Sequence, residues 1–312
     1  MHPRWGGVPR ERSLLVRRMW HKSRRKCFPK WSLPSAIGTL PPADFVSFLM
    51  PHFRVSRWAA WSPGLPTQEQ WQAWCERPDL AALCGDAQPP LQELPPMTRR
   101  RIDPVGRAAL QAAFQAQGPH STGPVVFTSR WGEIARSVSL LRELTQGQPL
   151  SPTAFSLSVH NAQGAVYSIA RGDTENYTAL SAGPCSAAAG VCEALGLLAE
   201  GAQQVLVVSV EAPLPDPYQA FEAAPLPLRA WAALIEAGGP LRLEATSLHE
   251  NGHDHNHDQD QDQTQLPAQL QPPEPPLARP DAALPPDLAA LRMLTGALPS
   301  LRQAGWHWTR HD

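Results

Sequence analysis

The stretch that decides the fold runs from Pro149 to Pro213. It opens with Leu150-Ser-Pro-Thr-Ala-Phe155-Ser-Leu-Ser-Val-His160-Asn161-Ala-Gln-Gly164-Ala165. It continues with Asn176-Tyr-Thr-Ala-Leu-Ser-Ala182-Gly-Pro184-Cys185-Ser186-Ala-Ala-Ala-Gly190 and ends on Val205-Leu-Val-Val-Ser-Val210. Tyr177 to Ala182 reads as a strand that enters a tight turn, and Ser186 to Glu200 as an alanine-rich helix leaving it. Cys185 sits at that turn. A thiol at a helix N-terminus feels the positive end of the dipole and several free amide donors. Such placement lowers a thiol pKa and can hold an oxyanion, as an acyl-transfer nucleophile requires. The run from Val205 to Val210 is apolar on both faces, so it belongs to a sheet covered on both sides.

Outward from this stretch, strands and helices alternate. Val55 to Trp61 alternates like a short strand, and Gln68 to Cys75 is a short helix with Thr67 as its N-cap. Asp103 to Gln117 is amphipathic, with Val105, Ala108, Ala109, Ala112 and Ala113 on one face. Pro124 to Thr128 reads as a buried strand, followed by a helix from about Glu133 to Thr145. Ser151-Pro152 opens a helical stretch expected to run through Ile169. Near the end, Pro286-Asp287 starts a helix carrying Leu288, Leu291, Leu294 and Leu298, and Trp306 to Arg310 reads as a closing strand. The pattern is that of an α/β layered domain, helices covering a mixed sheet.

Composition sets the boundaries. The chain has 312 residues, of which 42% are hydrophobic and 18% charged, and it holds 35 prolines, roughly twice normal usage. The net charge of −1 hides an asymmetry, because residues 1–30 carry ten Lys/Arg against Glu11 alone. Residues 1–50 are therefore read as a basic, Pro-interrupted extension, disordered or upstream of a true start near Met50. A nucleic-acid or anionic-lipid arm is the sharper alternative. The ordered part spans 51–246, a low-complexity linker 247–285, and a helix and strand 286–312 that return to the domain. Outside residues 1–30 the chain holds 17 basic and 27 acidic residues, which disfavours a basic nucleic-acid face. No run of 18 apolar residues exists, which excludes a membrane-spanning helix. Five scattered cysteines without a CxxC pair point away from a disulfide framework or a cysteine zinc site, and to a cytoplasmic setting.

The Pro149–Pro213 stretch resembles the β-ketoacyl synthase branch of the thiolase-like superfamily. The likeness rests on Ser151-Pro152, on Asn161-Ala-Gln-Gly164-Ala165, on the elbow around Cys185, on Gly201-Ala-Gln-Gln204, and on Val205 to Val210 with Glu211-Ala-Pro213. It covers roughly 53–245, the N-terminal half of a ketosynthase. Within that superfamily the chain is similar to the short ketosynthase-like chain-length-factor subunits of aryl polyene-type pathways. That likeness lies in Trp58-Ala-Ala-Trp61-Ser-Pro-Gly, Gln68 to Trp74, Met97 to Arg107, Ser158 to Asn161 and the Trp306-His-Trp308 end.

Two departures bear on activity. The family's nucleophile column falls on Pro184, so Cys185 sits one position late. One residue at a helix start turns a side chain by about 100°. The family's two catalytic-histidine motifs of its second half are missing as well, and His160 lies in a different element. The resemblance implies a catalytically silent subunit, with no cofactor, that pairs as a heterodimer with a full-length β-ketoacyl synthase in fatty-acid or polyketide biosynthesis and shapes its acyl tunnel. It also implies that Phe155, Leu157, Val159, His160, Asn161 and Gln163 line the interface or tunnel, and that an acyl carrier protein is met through the partner. Arg99, Arg100 and Arg101 are candidates for the carrier or a phosphopantetheine phosphate; a solvated face is the plain alternative. The rival class is a small acyltransferase using Cys185, and a homodimeric remnant is a third. His249, His253, His255 and His257 with Asp254 and Asp258 offer weak metal ligands, but no biological metal site is expected there.

Overall fold

The computed structural model describes residues 51–118, 123–222, 226–246 and 284–311, which fall within a single compact unit. The basic extension before Pro51, most of the 247–285 linker and the His249–Asp258 tract lie outside the described residues. No described helix is long and apolar enough to cross a membrane.

Eight strands form one mixed sheet. In chain order they are β1 (Phe53–Trp61), β2 (Val125–Thr128), β3 (Tyr177–Leu180), β4 (Gln204–Glu211), β5 (Arg229–Ala237), β6 (Leu241–Ala245), β7 (Ser300–Gln303) and β8 (Trp306–Arg310). Their spatial order is β3-β2-β4-β5-β1-β6-β8-β7. The β3, β2 and β4 strands are parallel, and the remaining pairs are antiparallel. β1 and β6 share the single pair Phe53 and Leu241, so the β6-β8-β7 portion hangs from the main sheet by a narrow seam.

The helices are α1 (Gln68–Glu76), α2 (Pro96–Arg101), α3 (Pro104–Gln117), α4 (Ile134–Thr145), α5 (Pro152–Ser156), α6 (Ala162–Arg171), α7 (Ser186–Ala199) and α8 (Pro286–Leu294). They cover both faces of the sheet, which is why β4 is apolar throughout. Val205 and Val207 pack with Trp71, Val191 and Leu195 on one side. Leu206, Val208 and Val210 pack with the α3 alanines and Tyr167 on the other. The α3 helix starts where Asp103 Oδ1 accepts from the Gly106 amide at 2.8 Å, with Pro104 fixing the first turn. Its small residues let it lie close over β5 and β1. Close approach also sets α7, since a Cβ at Gly190 would stand 2.3 Å from Thr128 Cγ2. The α1 helix carries the Thr67 cap expected from sequence, closed into a capping box by Gln70.

Several elements depart from the sequence reading. The stretch from Ser151 to Ile169 is two helices, α5 and α6, separated by Leu157–Asn161. Tertiary bonds break it: His160 Nε2 meets the Ser129 carbonyl at 3.0 Å, and Ser137 Oγ donates to the Ser158 carbonyl. The strand beginning at Tyr177 ends at Leu180 rather than Ala182. Helix α2 and strands β5, β6 and β7 were not assigned from sequence. The alanine-rich β5 carries little strand propensity, and its place between β4 and β1 decides its state.

The C-terminal segment is clamped to the sheet by charge. Arg229 on β5 donates to both carboxylate oxygens of Asp287, at 2.7 and 2.9 Å, and Trp231 Nε1 donates to the Asp287 carbonyl at 3.0 Å. Both partners of the pair are buried. Removing one member of a buried pair leaves an uncompensated charge. Asp287→Ala is expected to destabilise the fold by about 3 kcal/mol, the lower end for such a loss because half-buried Glu211 can assume part of the countercharge. Urea denaturation of the full chain measures this.

Candidate functional site

The elbow after β3 is built by local bonds. Gly183, at φ +57, opens a short 3-10 turn that reaches Cys185, and α7 begins at Ser186. Ser186 Oγ donates to the Gly183 carbonyl at 2.7 Å and accepts from the Ala182 amide at 3.0 Å. The turn is thereby locked by the serine after the cysteine. Pro184, Ser186 and Ala187 face a cavity of about 640 Å³, which Arg130, Glu211 and Asp287 also line. Cys185 does not line it. Its Sγ lies 3.0 Å from the Ala304 carbonyl, at the β7–β8 turn where Ala304 itself has φ +52. A thiol in that position donates to the carbonyl.

The cavity is charged. The Arg130 guanidinium stacks 4.5 Å over the Trp131 ring, and the Arg130 amide donates to Glu211 Oε1 at 2.7 Å. Burial and the neighbouring Asp287 push the Glu211 carboxyl up to about 8, against the opposing backbone hydrogen bond and Arg229. None of the described residues lining the cavity is a histidine. Among the described residues no group of three or more His, Cys, Asp or Glu is arranged to hold a metal ion.

Of the residues expected at an interface, His160 and Asn161 lie beside β3, the edge strand of the sheet among the described residues. His160 and Asn161 form an open cleft with Tyr177 and Ala179 of that strand. His160 fits because residue 132 is glycine; a Cβ there would meet the His160 ring at 2.6 Å. Phe155 is 64% exposed and Val159 44%. Asn161 is exposed and Leu157 half-buried. Gln163 departs from the expectation. It is only 5% exposed and donates to Glu133 Oε1, so it lies beneath this surface rather than on it.

Sequence reasoning missed the extent of the apolar face. Leu141 and Leu144 of α4 and Ile169 of α6 are also exposed. Ser137, which contacts the Ser158 carbonyl, lies four and seven residues before the two leucines, so they continue the α4 stripe that faces the α5 side. Their spacing was visible, but an amphipathic helix does not say which apolar stripe stays uncovered. The charged residues Arg130, Glu133, Arg229 and Asp287 were missed too, since nothing in a single sequence marks a carboxyl or guanidinium as buried.

Arg99, Arg100 and Arg101 form the last turn of α2, where cations complement the helix dipole. Arg99 donates to the Pro90 carbonyl at 2.6 Å, while Arg100 and Arg101 are exposed. The residues that follow, Ile102 and Asp103, share a small crevice with Leu157. The arginine turn therefore stands beside the apolar face.

With this geometry in place, the chain was compared with known proteins. The family profile described as the β-ketoacyl synthase N-terminal domain matches residues 71–279. A structure of the ketosynthase ApeO in complex with its chain length factor ApeC, from Xenorhabdus doucetiae, superposes with a TM-score of 0.65 at 27% identity. The match covers 83% of this chain and 99% of that one. The ishigamide ketosynthase/chain length factor superposes with a TM-score of 0.50 at 16% identity, over 62% of this chain and 67% of that one, a likeness of fold. No curated protein matches the chain. The mixed sheet, the strand–turn–helix elbow and the matched span lead to one assignment: the chain belongs to the β-ketoacyl synthase N-terminal domain family.

Proposed function

We infer that this chain is a ketosynthase-like subunit of the chain-length-factor type, without condensing activity of its own. It pairs with a full β-ketoacyl-ACP synthase in fatty-acid or polyketide (aryl polyene-type) biosynthesis. One observation carries the reading: Pro184 lines the elbow cavity, while the Cys185 thiol is turned away onto the Ala304 carbonyl. A decarboxylating condensation needs a nucleophile in the cavity and a basic or electrophilic group beside it. Here the cavity wall offers a proline, a Ser186 hydroxyl already bonded to the Gly183 carbonyl, and an arginine–carboxylate set. The likeness to a chain from the ApeO–ApeC complex, nearly all of which is covered, supports the same reading.

The pairing surface is the apolar face around Phe155 and Val159, with the free edge of β3 and the His160–Asn161 cleft beside it. Exposed apolar groups of this size on one face mark a protein contact. Arg100 and Arg101 border that face and are suited to the phosphate or acidic surface of an acyl carrier protein brought by the partner.

Co-expression with a full-length β-ketoacyl synthase from the same genome tests the pairing. A one-to-one complex by native mass measurement is the expected result. Phe155→Asp is expected to weaken the complex by roughly thirtyfold or more, as loss of a central apolar anchor does. Because Phe155 is exposed, folding stability of that variant should change by less than about 0.5 kcal/mol.

Cys185→Ala separates the two classes of function. The subunit reading predicts product formation by the pair within about twofold of the unsubstituted protein, since less than about 0.5 kcal/mol of transition-state stabilisation is at stake. An isolated chain that carries an acyl adduct on Cys185, or loss of all product in the alanine variant, would instead identify a Cys185-dependent acyltransferase.

A further inference from the structure

Beneath the apolar face lies a buried charge set that the elbow chemistry does not use. Glu133 precedes α4 and is 6% exposed. Its Oε1 accepts from Gln163 of α6, and its Oε2 faces the Arg136 guanidinium at 3.9 Å. The same guanidinium holds Asp103 at 3.3 Å, and Asp103 caps α3. Two carboxyls therefore converge on one arginine. The other groups around the crevice are Ile102, Gly106, Leu110, Leu157, Ala162 and Val166, beside Gln163, and none of them bears charge. One cation balances one carboxylate, so the second carboxyl is comfortable only with its proton. Burial, and the hydrogen bond and charge of Asp103, push Glu133 up to about 9 against the opposing Arg136.

The chain segment from Leu157 to Gln163 depends on this arrangement. Gln163 anchors its end through Glu133, and Leu157 packs over the same crevice. We propose that Glu133 is the positioning residue of the pairing face, holding the Leu157–Gln163 turn through its bond to Gln163, so that docking of the partner synthase is linked to the protonation of the Glu133 carboxyl. The partner and the face are those of the proposed function, on which this inference rests.

The sign follows from proton counting. Between the ordinary carboxyl value near 4.5 and the folded value near 9, the folded chain binds one proton more than the unfolded chain at Glu133. Stability relative to a neutral group is complete below about 4.5 and is lost as pH rises, by up to tenfold in the folding equilibrium per pH unit. Glu211 adds a second such proton, with its loss complete near 8.

The test compares the unsubstituted chain, Glu133→Gln and Glu211→Gln, since glutamine imitates the neutral acid at each place. Hydrogen exchange of residues 157–163, corrected for intrinsic base catalysis, should rise between pH 7.5 and 9.5 in the unsubstituted chain and in Glu211→Gln, but stay flat in Glu133→Gln. Affinity for a full-length β-ketoacyl synthase should fall roughly fourfold over the same interval, and Glu133→Gln should abolish that fall. Glu211→Gln should remove only its own share of the pH dependence of the melting temperature, the Glu133 share remaining, while leaving that of pairing intact. Exchange that ignores pH, or a pH dependence that survives Glu133→Gln, overturns the inference. If no complex forms at any pH while the exchange pattern holds, the pairing reading fails and the positioning of the turn stands.

Discussion

The Arg229–Asp287 pair holds the molecule's chemistry in place. It joins the middle of the sheet to the first turn of α8, and from α8 the chain runs directly into β7 and β8. The turn between those strands presents the Ala304 carbonyl to Cys185. Asp287 with Pro285 and Pro286 also forms one wall of the elbow cavity. A single buried ion pair thus fixes a cavity wall, the partner of the thiol and the position of the C-terminal hairpin. Such pairs contribute little net stability against an apolar substitute, but they are strongly directional. That directionality is what the site requires.

In the elbow, neighbouring residues face different ways: Pro184 lines the cavity and the Cys185 thiol meets the Ala304 carbonyl. The strand, the tight turn at Gly183 and the helix after Ser186 are all present, and the helix still directs its N-terminus at the cavity region. At Pro184 the cavity meets a ring with no proton to exchange and no lone pair to donate, and the Ser186 hydroxyl beside it is bonded to the Gly183 carbonyl. Scaffold and reactivity are specified by different residues, so the same strand, turn and helix can present different side chains to the cavity.

The layered α/β plan was legible because β4 and the α3 and α7 helices carry patterns that tertiary context reinforces: apolar on both faces in one case, alanine stripes in the others. Strand β5 was not legible, since Ala230, Ala232 and Ala233 favour a helix in isolation and become strand only between two neighbours. The break at Leu157–Asn161 had the same origin, a contact from His160 to a residue 31 positions away. At the site, the place of Cys185 at the turn before the helix was readable from sequence. What its thiol faces was not, because Ala304 lies 119 residues further along. Buried carboxyls escaped notice for a related reason: charge is written in the sequence, whereas dielectric surroundings are a property of the assembled fold.

The edge of β3 has a consequence for the life of the chain in a cell. A strand bonded on one side alone offers an open row of amides and carbonyls, and the leucines and phenylalanine beside it leave apolar surface uncovered. Chaperones and proteases recognise such surfaces, and open edges also template aggregation. While that edge stays open, the folded chain itself carries both liabilities.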